Sequence, residues 1–148
     1  TGGAQGIGKA VAERLAGGGA RVALWDMDVD LARDTATQLG NGAIALAVDV
    51  SDWDSVAAAY NSTISQLGRV DVVVNSAGIA GSNAPVADYP VAEFKKVIDI
   101  NLVGTFHVNR AVVAGMRDQN YGRVVNIASV AGKRAIRTPR PIRRPKRA

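Results

Sequence analysis

The chain has 148 residues, enough for one buried core, with 47% hydrophobic and 21% charged residues and a mean hydropathy of +0.05. No run approaches the roughly 18 apolar residues of a membrane span. The absence of Cys and the single His, His107, exclude a disulfide scaffold, a Cys nucleophile, a thiolate metal site and any multi-histidine centre. No metal is therefore expected, and neither is a membrane partner. The chain opens on Thr1-Gly2-Gly3 with no charged-then-apolar leader, and a cytoplasmic location is the expectation.

The net charge of +5 is unevenly placed. Residues 1–132 carry 10 Lys and Arg against all 13 Asp and Glu, whereas residues 133–148 carry eight basic groups and no acid. A Pro- and Arg-rich run such as RPIRRPKRA buries too little apolar surface to fold alone, so a disordered tail over 133–148 is expected beside one folded domain over 1–132.

Taken in chain order, the body alternates helix and strand signals. Ile7, Ala10, Val11 and Leu15 fall at helical spacing between Gly6 and Leu15, and the Gly17-Gly18-Gly19 run closes that helix. Arg21 to Trp25 is a short apolar run ending at Asp26, which suits a buried parallel strand. Leu31 to Leu39 reads as helix, stopped by Gly40-Asn41-Gly42, and Ala43 to Val48 reads as a second strand ending at Asp49. Ser51, with Asp54 three residues on, is the expected cap of a helix reaching Leu67. Val70 to Val74 is a third strand, followed by a Gly- and Ala-rich loop through Pro90. One long helix is expected from Val91 to about Arg117, and a fourth strand from Gly122 to Ile127. Repeated strand–helix units with short Gly-marked links predict an α/β fold, a parallel sheet covered by helices on both faces.

The chemistry begins at Thr1-Gly2-Gly3-Ala4-Gln5-Gly6-Ile7-Gly8, which opens the first helix. A pyrophosphate approaches a backbone only where no Cβ intervenes, and the N–H groups of a helix N-terminus then bind the anion. The spacing Gly2, Gly6, Gly8 departs from the GxGxxG fingerprint, so alone it also fits a structural turn. Asp26, about twenty residues on at a strand end, supplies an acceptor for ribose hydroxyls or, alternatively, a solvated strand-end acid. Together the two favour a nucleotide site.

TGGAQGIGKA at the start, Asp49-Val50-Ser51, Asn75-Ser76-Ala77-Gly78, NLVGTF from Asn101 and NIASVAG from Asn126 occur in the order and spacing of one family. On these motifs the chain resembles the short-chain dehydrogenase/reductase family, and is most similar to its 3-oxoacyl-acyl-carrier-protein reductase-like branch. The resemblance implies a Rossmann-type doubly wound parallel sheet and an NAD(P)-dependent oxidoreductase interconverting a ketone, 3-oxoacyl or similar, and a secondary alcohol. It implies that Gly2, Gly6 and Gly8 line the pyrophosphate, with Ile7 packing behind the turn. Asp26 would hold the adenosine ribose and repel a 2′-phosphate, favouring NAD over NADP, and Gln5 agrees where NADP-preferring members often carry Lys or Arg. Asp49 and Val50 would sit by the adenine, and Asn75, Ala77 and Gly78 would flank the cofactor. Asn101 would hold a water in a proton relay, and Ser129 would hydrogen-bond the substrate oxygen. Both also have ordinary alternatives, a helix-interior amide and a turn serine. His107 is given no role. Intact relatives are expected to be homo-oligomers, dimers or tetramers.

The family mechanism also needs a Tyr thirteen residues after the serine and a Lys four further on. The Lys lowers the Tyr pKa from about 10 so that it can exchange a proton while hydride moves. Thirteen beyond Ser129 stands Ile142, and the last Tyr of the chain is Tyr121. The catalytic acid/base is missing. Codons for the tail read one base earlier permit EGNPNAAAYSASKAG, with Tyr and Lys at the required spacing, so a frameshift near Lys133 is the expectation, which the coding DNA decides. The resemblance further places a first strand before Thr1, in the centre of the order 3-2-1-4-5, and more strands and a substrate lid after the fifth. The expectation is thus a partial domain, its central strand absent. Rival readings are a non-catalytic dinucleotide-binding module, or nucleic-acid binding by the basic tail. That tail has no aromatic stacking residue and no recognition helix, so nucleic acid is not an expected partner.

Overall fold

The computed structural model describes residues 1–129, and the expected tail over 133–148 lies outside them. The helix α1 (Gly6–Ala16) is followed by β1 (Ala23–Asp26), α2 (Val29–Leu39), β2 (Ile44–Ala47), α3 (Trp53–Leu67) and β3 (Val72–Asn75). A single 3-10 turn (Val86–Asp88) precedes α4 (Val91–Ile98), a π-helical turn (Asp99–Val103), α5 (Gly104–Asp118) and β4 (Arg123–Asn126).

Local chemistry sets the boundaries. The Asp28 side chain accepts from the Leu31 N–H at 3.1 Å and starts α2, and Gly40, at φ 62°, ends it. The expected Ser51 cap of α3 is not the one used. Ser51 turns back and donates from N–H and Oγ to Asp49 Oδ1 at 2.9 and 2.6 Å, and Asp52 caps instead, accepting from the Asp54 N–H at 3.1 Å. In α1 the helix is as expected but its buried face is not. Ala12 is buried and Ile7 is 60% exposed, because α1 packs closely on a surface of small residues, Ala4, Ala32 and Ala36.

The strands pair in two parallel ribbons, β1 with β2 from Ala23↔Ile44 to Asp26↔Ala47, and β3 with β4 from Val72↔Arg123 to Asn75↔Asn126. Side chains alternate across β1, so successive residues enter different cores. Leu24 joins Ala4, Ala12, Ala32 and Ala36 on the α1/α2 face, and Trp25 joins Val48, Val56, Val73, Val108 and Val112 on the α3/α5 face. Helices thus cover both faces, as in a doubly wound α/β fold. The Trp25 indole donates to Thr63 Oγ1 at 3.0 Å, satisfying its polar edge inside that core.

Between β1 and β3 no full strand intervenes among the described residues. Thr1 to Gly3 laces the two ribbons by backbone hydrogen bonds, the Thr1 nitrogen donating to the Val74 carbonyl at 2.8 Å and the Gly3 N–H to the Trp25 carbonyl at 3.4 Å. The sheet lies open along its centre, where the central strand was expected to be missing.

Candidate functional site

A cleft of about 360 Å³ opens beyond the C-terminal ends of β1 and β3. That is where ligands sit in open α/β sheets. Its floor is the turn into α1, with Gly2, Gln5, Gly6 and Ile7; one wall is Asp26 and Met27, another Val48 to Val50, and the last Ser76 to Ile79 with Ile100.

The turn requires its glycines for separate reasons. Gly2 and Gly6 adopt φ of 61° and 57°, a left-handed conformation that side chains resist. A Cβ on Gly8 would collide with the Gly2 carbonyl oxygen, and one on Gly2 would stand 3.0 Å from the Ala77 backbone. The cradle therefore exists only without side chains. The α1 N-cap, Gln5, offers no side-chain bond, so the first N–H groups of α1 are left to an external acceptor. This arrangement suits a pyrophosphate.

Asp26 is locked across this turn. Its Oδ2 accepts from the Ala4 N–H at 3.0 Å and its Oδ1 from the Asp28 N–H at 3.1 Å, so the carboxylate is fixed at the cleft rather than solvated freely. Asp49 is the second acid of the cleft, and no Lys or Arg lines it among the described residues. On the far wall the N–H groups of Ser76 and Ala77 both donate to Thr1 Oγ1 at 3.1 Å, tying the Asn75–Gly78 turn to the start of the chain.

The structure brings Gly2, Gly6, Ile7, Asp26, Asp49, Val50, Ala77 and Gly78 together around the cleft. Ile7 lines its mouth and does not pack behind the turn, a correction to the expectation that follows from its exposure. Gly8 lies behind the turn with Val11, Leu24 and Val74, letting α1 approach Gly2. Asn75 is buried below the cleft, its Nδ2 donating to Asn109 Oδ1 and Asn126 Oδ1, both at 2.8 Å. Asn101 stands in the π turn that interrupts the expected single helix. Its Nδ2 donates to the Ile79 carbonyl at 2.8 Å and its Oδ1 accepts from the Ile79 N–H at 2.9 Å. Both ends of that amide are thus committed to the loop after Gly78. The Asn101 carbonyl accepts from Thr105 Oγ1 at 2.8 Å. Ser129 follows β4, three residues beyond Asn126. Sequence reasoning missed Met27, Ile79 and Ile100; only the position of Met27, directly after Asp26, was a usable signal.

The fold is that of a partial doubly wound α/β domain with a cleft at its strand ends. A short chain dehydrogenase family model matches residues 1–139, and the chain belongs to that family. It is 49% identical over 133 residues to a 2-dehydro-3-deoxy-L-rhamnonate dehydrogenase (NAD(+)) of Sphingomonas sp. strain SKA58, covering 90% of this chain and 53% of the relative. Among solved structures, it resembles an NAD+-bound xylitol dehydrogenase with a TM-score of 0.88 at 38% identity, over 91% of this chain and 53% of that one. A 3-ketoacyl-ACP reductase from Sinorhizobium meliloti 1021 matches with a TM-score of 0.86 at 33% identity, over 88% and 52%. The chain thus spans about half the length of the relatives it matches. Among the described residues no helix is long and apolar enough to cross a membrane, and no acid or His cluster could hold a metal.

Proposed function

We propose that this chain is the cofactor-binding half of an NAD-dependent oxidoreductase whose intact form interconverts a ketone and a secondary alcohol. The observation that carries the reading is the Asp26 carboxylate fixed beside a turn in which Gly2 and Gly8 leave no room for a Cβ. In this reading Gly2, Gly6 and the first N–H groups of α1 hold the pyrophosphate, with Gly8 allowing their approach. Asp26 accepts from the adenosine ribose hydroxyls. Asp49 and Val50 border the adenine, Ile7 covers the opening, and Ala77 and Gly78 flank the cofactor, with Asn75 holding their turn. The bound nicotinamide would supply or accept the hydride. Asn101 acts by fixing Ile79 rather than by holding a relay water on its side chain, and Ser129 orients the substrate oxygen.

NAD is favoured over NADP because a 2′-phosphate would meet Asp26 with no Lys or Arg lining the cleft among the described residues. Two like charges a few Å apart cost on the order of a few kcal/mol at an effective dielectric near 20. The relative named for NAD(+) and the NAD+-bound neighbour support the same preference. The substrate of the intact form is a small carbonyl or alcohol. With Ile142 at the position for the proton-transferring Tyr, the chain as written binds cofactor without turning a substrate over. Calorimetric titration with NADH and NADPH tests the reading. NADH is expected to bind at least about tenfold more tightly, a difference of about 1.4 kcal/mol, and Asp26→Ala to narrow the gap. Equal affinities in the unaltered chain would overturn the preference.

A further inference from the structure

The half-buried His107 does not line the cleft, yet it grips one of the cleft's walls from behind. That wall is the link between β2 and α3, and its Val50–Ser51 peptide is pinned on both sides. The Ser51 N–H donates to Asp49 Oδ1 at 2.9 Å, and the Val50 carbonyl meets His107 Nδ1 at 3.0 Å across fifty-seven residues of chain. A carbonyl only accepts, so Nδ1 carries the proton and His107 is the donor. One peptide earlier, the Asp49 N–H donates to Ser55 Oγ at 3.1 Å. The grip depends on a close approach of α5, because a Cβ on Gly104 would stand 2.7 Å from Val50 Cγ2. The imidazole is itself held, in a T-shaped contact with Trp53 at 5.9 Å between ring centroids, and Arg110 lies over the Trp53 ring at 4.3 Å.

These bonds leave two groups over. The Val50 N–H and Asp49 Oδ2 have no partner among the described residues, and both residues line the cleft. The Asp49–Val50 peptide, which carries that N–H, lies between two anchored peptides, so its orientation is set by its neighbours. A backbone donor beside a carboxylate acceptor matches the edge of adenine, whose ring N1 accepts and whose exocyclic amine donates. A 6-oxopurine reverses both, with a hydrogen on N1 and an oxygen at C6. We propose that His107 is a positioning residue for the nucleobase: by holding the Val50 carbonyl it fixes this donor and acceptor, and so selects adenine over a 6-oxopurine. The inference rests on the proposed dinucleotide site and adds to it a residue outside the cleft. Discrimination of this kind depends on placement, because the wrong edge is rejected only where it leaves polar groups of the site unpaired. Without His107 the Val50–Ser51 peptide is held from one side alone, and the pair can turn to suit either base.

The test titrates the full chain calorimetrically with ADP and with IDP, which carry base, ribose and pyrophosphate but no nicotinamide. The unaltered chain should bind ADP at least about tenfold more tightly than IDP. His107→Leu keeps much of the bulk and lacks the donor, and it should bring the two affinities within about threefold, chiefly by weakening ADP. His107→Asn retains an N–H donor close to the Nδ1 position and should restore most of the preference. A merely structural role for His107 would weaken both ligands alike and leave their ratio untouched. Equal losses for ADP and IDP in His107→Leu, a Leu-like ratio in His107→Asn, or no preference for ADP in the unaltered chain would each overturn the proposal. The choice between NADH and NADPH turns on Asp26 and the 2′ position instead, so the cofactor preference and the role of His107 fail on different ligands.

Discussion

Asp26 does two things with one carboxylate. Its bonds to Ala4 and Asp28 hold the Gly-rich turn against α2, and its position at the cleft is the basis of the proposed discrimination between cofactors. Replacing it with Ala therefore carries a structural cost, and Asp26→Asn is the cleaner companion, since it removes charge while keeping an acceptor. Asn should relax the NADH preference with less loss of NADH affinity than Ala, as read by paired titrations of both cofactors. Gly8 gives a prediction of a different kind. Gly8→Val forces a Cβ into the Gly2 carbonyl, so NADH affinity should fall by about tenfold or more. Gly6→Ala has open space and only its φ of 57° to contend with, about 1–2 kcal/mol of backbone strain. Gly8→Val should be the more damaging when both are titrated. These residues were legible in the sequence because their chemistry is local: a turn without Cβ atoms and an acid at the next strand end. The roles of Ile7 and Gly8 were not, because which glycine touches ligand and which touches α1 depends on how the helix packs.

At the scale of elements, the long segment from α4 to α5 is the instructive one. Apolar periodicity reads as one helix because it persists through residues 91–117, and it carries no sign of the π turn at Asp99–Val103. That turn coincides with the grip of Asn101 on both backbone groups of Ile79, twenty-two residues away, an interaction that spacing along the chain does not encode. The Asn75–Asn109–Asn126 cluster was invisible for the same reason. On the outer face of this rod Phe94, Leu102 and Phe106 are each more than half exposed. We propose a second copy of the chain as their partner, in keeping with the homo-oligomers expected of intact relatives. Leu102→Asp with Phe106→Asp should reduce the mass measured by sedimentation to that of a monomer. A monomeric unaltered chain would dispose of this.

For the molecule as a whole, the α/β class and the parallel pairing of neighbouring strands follow from short apolar runs joined by Gly-marked links, and the absent centre of the sheet follows from the motif order. Thr1 was not legible, although its nitrogen and hydroxyl bind the end of β3 while the adjoining Gly3 N–H reaches β1.

The most direct measurement of the central claim, a dinucleotide cradle with a preference for NAD, is amide hydrogen exchange with and without NADH. Slowed exchange is predicted at Gly6, Ile7 and Gly8, where α1 presents its first N–H groups, and at Ala77 to Ile79 on the opposite wall, with a weaker effect from equal NADPH. Protection confined to other parts of the chain, or none at saturating NADH, would contradict the account.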